Sequence, residues 1–95
     1  MRVRFFAYIR NYTGCAEADV PYRENAGDLA RSLCDRYGKK LKQKIFPDEN
    51  PAGEDKFGPE IIILVNGRHV SHLGGYAAPL HPDDRVDIFP VVAGG

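Results

Sequence analysis

The two ends of this chain constrain its fold more than anything between them. RVRFFAYIR, residues 2–10, sets Val3, Phe5, Ala7 and Ile9 against Arg2, Arg4, Phe6, Tyr8 and Arg10. RVDIFP, residues 85–90, turns Val86 and Ile88 one way and Phe89 the other. A two-residue period marks a half-buried strand, with one face on a core and the other turned away. These are the first and last strands of the chain, and its most apolar ends. They are expected to pair in parallel at the centre of a sheet, and a parallel pair needs a long crossover.

The intervening sequence supplies that crossover. Asn11 to Gly14 have turn chemistry, and Ala18 to Arg23 read as a short return strand, giving an opening hairpin. Asn25 fits a helix N-cap with Asp28 in the first turn. Leu29, Leu33 and Tyr37 follow at helical spacing, Ala30 and Cys34 widen the stripe, and Gly38 stops it. Lys39 to Phe46 continue as a second short helix with Leu41 and Ile45 inward, and Pro47 ends it. DENPAGEDKFGP, from Asp48 to Pro59, reads as a surface loop inside the domain, because neither flank could fold alone. Glu60 to Val65 is a β-branched run that meets Asn66-Gly67, a strong hairpin signal, and Arg68 to Val70 should return antiparallel. Gly74-Gly75 and Pro79 to Asp84 are irregular connection.

A chain of 95 residues with 43% hydrophobic content can build one core but not two, so residues 1–95 are expected to form a single domain with residues 91–95 as a tail. The order predicts an α+β fold of the ubiquitin-like β-grasp kind. One main helix packs across a mixed sheet, and a flexible C-terminal Gly-Gly tail follows.

Much chemistry is excluded. A formal net charge of +0 gives no reason to expect nucleic acid. The apolar run Ile61 to Val65 is too short to span a membrane, and no signal peptide is evident, so the expected location is the cytoplasm. Cys15 and Cys34 lack metal or redox spacing; Cys34 belongs to the helix core and Cys15 to a turn, and a disulfide is disfavoured in a reducing compartment. There is no phosphate-binding glycine loop and no nucleophile elbow. His69 and His72, three apart near a hairpin, and His81, in a turn, read as surface residues and not as metal ligands. Asp83 and Asp84 read as turn residues. Lys39, Lys40, Lys42 and Lys44 form a basic cluster that could meet an acidic partner or a phosphate; without interleaved aromatic residues it reads as a solvated helix face.

Two features remain. Phe6 and Tyr8 on the first strand and Phe89 on the last point away from the core. If those strands are neighbours, Phe6 and Phe89 form an exposed aromatic patch of the kind that meets a partner. VVAGG, residues 91–95, leaves the last strand directly after Pro90. Extended, five residues reach at most roughly 17 Å. Glycines without Cβ atoms can thread a narrow channel, so a partner enzyme could draw the Gly95 carboxylate into its own site. Adenylation by ATP would give that carboxylate a leaving group, and a sulfur donor could then convert it to a thiocarboxylate. In that scheme Gly95 carries the reacting group, with Gly94 beside it, and partners supply catalysis.

RVRFFAYIRNYTG, ILVNG and DDRVDIFPVVAGG together resemble the MoaD/ThiS family of ubiquitin-like sulfur carriers, along nearly the whole chain. The MoaD type, the small subunit of molybdopterin synthase, fits best. The resemblance implies a β-grasp fold and a carrier subunit with no catalysis of its own. It implies a C-terminal glycyl adenylate made by an E1-like (MoeB-like) adenylating enzyme using ATP, then a thiocarboxylate, with no permanently bound cofactor. It further implies insertion of the tail into a MoaE-like large subunit and donation of sulfur to precursor Z for the molybdenum cofactor. Phe6 and Phe89 match family positions that pack against that subunit, and Pro90, Val91 and Ala93 are expected to bind the partner with them. The family's Phe-Pro-Pro is Phe-Pro-Val here, and the loop from Asp48 to Pro59 lengthens the chain. Carriers of the CysO type, for cysteine synthesis, share that length and the VAGG ending. ThiS-type carriers for thiamin are usually shorter. A ubiquitin-like protein modifier or binding module is the reading from a different class.

Overall fold

The computed structural model describes residues 1–50, 53 and 56–91. In chain order the elements are β1 (Arg2–Phe5), α1 (Ile9–Thr13), β2 (Glu17–Asp19), α2 (Ala26–Tyr37), α3 (Lys39–Ile45), β3 (Ile61–Val65), β4 (Arg68–His69) and β5 (Arg85–Pro90). Two 3₁₀ turns, Val70–His72 and Gly75–Ala77, lie between β4 and β5. The sheet order is β2-β1-β5-β3-β4, and β1 and β5 run parallel with Arg2 beside Arg85 and Phe5 beside Ile88. The remaining pairs are antiparallel. This is the β-grasp arrangement, with the first and last strands adjacent and α2 packed across one face.

Alternation explains the core. Val3 and Phe5 of β1, Val86 and Ile88 of β5, and Ile61, Ile63 and Val65 of β3 are all buried. They meet Leu29, Ala30, Leu33 and Cys34 of α2 and Leu41 and Ile45 of α3 in one cluster. Asn25 caps α2, its side-chain oxygen accepting from the Asp28 N–H at 2.8 Å. Gly27 is required by close packing: the Tyr76 ring lies where a Cβ would stand. Asn66 (φ 51°) and Gly67 (φ 83°) adopt the left-handed conformations that turn β3 tightly into β4. The Asn66 amide then ties this hairpin to β5, donating to Asp84 Oδ1 at 2.8 Å and accepting from the Arg85 N–H at 2.9 Å.

Several boundaries differ from the sequence expectation. The first strand stops at Phe5, where the pattern had suggested a run to Arg10. After Phe6 donates to the Ile88 carbonyl at 3.0 Å, Ala7 turns the chain with φ 51°, and residues 9–13 coil into α1. Ala7 is therefore exposed and not on the core face, whereas Ile9 is fully buried from a helix. Alternation and a short helical turn both bury Ile9, and no Gly or Pro marks the switch. The return strand is Glu17–Asp19, ending before Val20, and β4 ends at His69 as Val70 enters a 3₁₀ turn. The polar loop after α3 is anchored by its last residues. Phe57 packs against Phe46 and Tyr76 at ring-centroid distances of 5.7 and 6.1 Å, and the Gly58 N–H donates to the Ile45 carbonyl at 2.7 Å.

Candidate functional site

The face of the sheet away from α2 carries the alternate residues of the same strands. Because β1 and β5 are neighbours in parallel register, Phe6 and Phe89 meet there. Their rings stack with centroids 4.1 Å apart and planes 10° from parallel, both half-buried. Ile62 of β3 stands beside Phe89 in the register, with Leu64 one step along, so the aromatic pair continues as an apolar strip. The guanidinium carbons of Arg4 and Arg10 lie 5.3 and 5.9 Å from the centre of the Phe6 ring. Arg10 is held in place by donating from Nε to the Phe5 carbonyl at 2.9 Å. An aromatic pair edged by arginines is the composition of a recognition hot spot.

One charge on this face is buried. Asp87 is 3% exposed and receives a two-pronged contact from Arg4, Nε to Oδ1 at 2.7 Å and Nη2 to Oδ2 at 2.9 Å, with Arg85 Nε 3.5 Å away. The Arg4 hydrogen bonds hold the Asp87 carboxyl below the usual carboxylate range, against the opposing effect of burial. This pair ties β1 to β5 beside the aromatic patch. Sequence reasoning missed it because only the strand register places Arg4 opposite Asp87.

The tail leaves from the edge of this patch. Pro90 is buried, the Val91 N–H donates to the Glu60 carbonyl at 3.0 Å, and the Val91 side chain is 43% exposed. Ala93, Gly94 and Gly95 lie outside the described residues. The other candidates occupy separate places. His69 Nδ1 accepts from the Ser71 N–H at 3.1 Å, and its ring lies 6.0 Å from that of His72. Asp84 caps a turn by accepting from the His81 N–H at 2.8 Å. Among the described residues no group of His, Cys, Asp and Glu could hold a metal ion. Both cysteines are free, and burial pushes the Cys34 thiol up to about 11. Among the described residues no helix is long and apolar enough to cross a membrane. Tyr8, expected beside Phe6, instead follows the turn at Ala7 and faces Tyr12 of α1 at 5.8 Å. What the sheet face offers is an apolar, arginine-edged surface, with the chain continuing from its margin at Val91.

Known proteins share this architecture. The chain is 37% identical over 99 residues to small archaeal modifier protein 3 of Haloferax volcanii, covering all of this chain and 98% of that relative. The solution structure of small archaeal modifier protein 1 from Methanosarcina acetivorans superposes with a TM-score of 0.83 at 34% identity, covering 99% of this chain and 94% of that one. A Pyrococcus furiosus protein assigned as molybdopterin converting factor subunit 1 gives a TM-score of 0.66 at 28% identity, over 96% and 95% of the two chains. Residues 3–95 match the ThiS family, and the chain belongs to the ubiquitin-like MoaD/ThiS family.

Proposed function

We propose that this chain is a sulfur carrier. The carboxylate of Gly95 is adenylated by an E1-like enzyme at the expense of ATP; a sulfur donor then displaces AMP to leave a thiocarboxylate. The carrier hands that sulfur on as the small subunit of a molybdopterin synthase, docked to a MoaE-like large subunit that acts on precursor Z. The observation that carries the reading is the stacked Phe6–Phe89 pair at the root of the chain's Gly-Gly ending. The patch supplies affinity while the side-chain-poor tail reaches into the partner's site. The family match running through Gly95 and the likeness to a molybdopterin converting factor subunit support it.

A single residue appended after Gly95 moves the carboxylate one position along the tail and blocks close approach. We expect that variant to fold normally and to lose sulfur transfer. A tailed variant that still transfers sulfur refutes the reading.

The likeness to small archaeal modifier proteins favours a second reading, in which the activated glycine is joined to a lysine of a target protein. Incubation with ATP and cell extract separates the two on a reducing, denaturing gel. An isopeptide-linked ladder that survives thiol favours the modifier, and its absence favours the carrier.

A further inference from the structure

The lysines of α3 have aromatic neighbours from another element. The turn at Ala7 and the α1 helix bring two tyrosines to them. Tyr12, Lys39, Lys40, Gln43 and Lys44 line an open groove of about 420 Å³. Tyr8 adjoins it, with Lys44 Nζ 5.3 Å from the centre of its ring. No carboxylate is among the residues that line this groove. Lys44 is paired to Glu60 at 2.9 Å and Lys42 to Asp48 at 3.2 Å, whereas Lys39 and Lys40 are exposed and have no ion-pair partner among the described residues. Both sit in the first turn of α3, where the helix dipole opposes positive charge.

One residue of this groove, Lys44, connects it to the root of the tail. Lys44 holds the Glu60 side chain while the Glu60 carbonyl accepts from the Val91 N–H, and Arg10 of the neighbouring α1 reaches back over Phe6. A protein that takes hold of the chain at Val91 is therefore one ion pair removed from Lys44.

Resting on the carrier reading, we propose that the α1–α3 groove is an electrostatic docking site for an acidic surface on the adenylating enzyme. Lys39 and Lys40 supply the steering charge, and the ring of Tyr12 supplies the packed floor. A carrier must release its activating enzyme after each loading. Complementary charge suits that demand, because it raises the association rate more than it lengthens the life of the complex. The near-neutral charge of the whole chain argues for such a local protein contact over a nucleic-acid track.

The test is ATP–pyrophosphate exchange by the native adenylating enzyme, with the full-length carrier as the varied substrate across a series of salt concentrations. For Lys39→Glu/Lys40→Glu we expect KM to rise on the order of tenfold at low salt, with kcat unchanged and the salt dependence of KM flattened. Lys39→Arg/Lys40→Arg should behave as wild type. Acidic residues in the first turn of α3 favour the helix, so a Tm no lower than wild type rules out misfolding as the cause. Wild-type KM and salt dependence in the double Glu variant overturn the docking site while leaving the carrier reading intact. If the wild-type chain itself supports no exchange, with the enzyme active on a control carrier, the carrier reading falls and the docking site with it. Retention of a single-stranded oligonucleotide by wild type but not by the double Glu variant, with KM unchanged, overturns the proposal in favour of nucleic acid.

Discussion

The two faces of one sheet divide the work of this molecule. Phe5 and Phe6 are adjacent in sequence, yet Phe5 is fully buried and meets Tyr37 edge-on at 5.6 Å, whereas Phe6 lies half-open and stacked on Phe89. Ile88 and Phe89 repeat the contrast on the neighbouring strand. One residue of register separates a side chain that holds the fold from one left half-open on the opposite face. Substitutions on the two faces should therefore separate stability from binding.

The largest stability effect is expected on the covered face. Phe5→Ala removes a fully buried ring and leaves a cavity, and should lower stability by about 3–5 kcal/mol, read as a shift of the denaturant midpoint. A change below 1 kcal/mol would break the contrast at its strongest point.

The next largest falls where the open face is locally buried. Asp87→Ala strips Arg4 of its partner and should cost about 2 kcal/mol. The effect has a pH signature. The folded-state pKa of Asp87 is depressed, so its stabilisation is complete above the ordinary carboxylate value of about 3.9 and is lost as pH falls through the folded value. Asp87→Asn should therefore have a shallower acid limb than wild type when the denaturant midpoint is followed from neutral pH downward. An unchanged limb would mean that the Arg4 contact contributes nothing.

The smallest stability effect is expected at the patch itself. Phe6→Ala should cost only about 1 kcal/mol, the scale of an aromatic pair, yet weaken docking to the proposed large subunit by roughly tenfold or more in a titration. Unchanged affinity would return the patch to a structural role.

Much of this contrast was legible in the sequence, because strand alternation assigns faces directly. It puts Val3, Phe5, Val86 and Ile88 in the core and Phe6 and Phe89 on the opposite face. The Asn25 cap, the stripe from Leu29 to Tyr37 and the Asn66-Gly67 turn were equally readable, since each rests on local chemistry. What escaped was non-local or ambiguous in period. Ile9 is apolar in either a strand or a helix, so α1 was invisible, and with it the arrival of Tyr8 and Tyr12 beside the lysines of α3. The Arg4–Asp87 pair spans 83 positions and exists only through register. Phe57 was hidden in a polar loop, its lone aromatic ring the one signal that the loop is pinned. The role proposed for the tail rests on its glycines and on the family match.

The account stands most directly on the intact mass of the protein after incubation with its native adenylating enzyme, ATP and a sulfur source. We predict a gain equal to one oxygen replaced by sulfur, mapped by fragmentation to Gly95. No gain, with the enzyme shown to be active on a control carrier, would contradict the carrier reading and leave the Phe6–Phe89 face as a docking surface without a cargo.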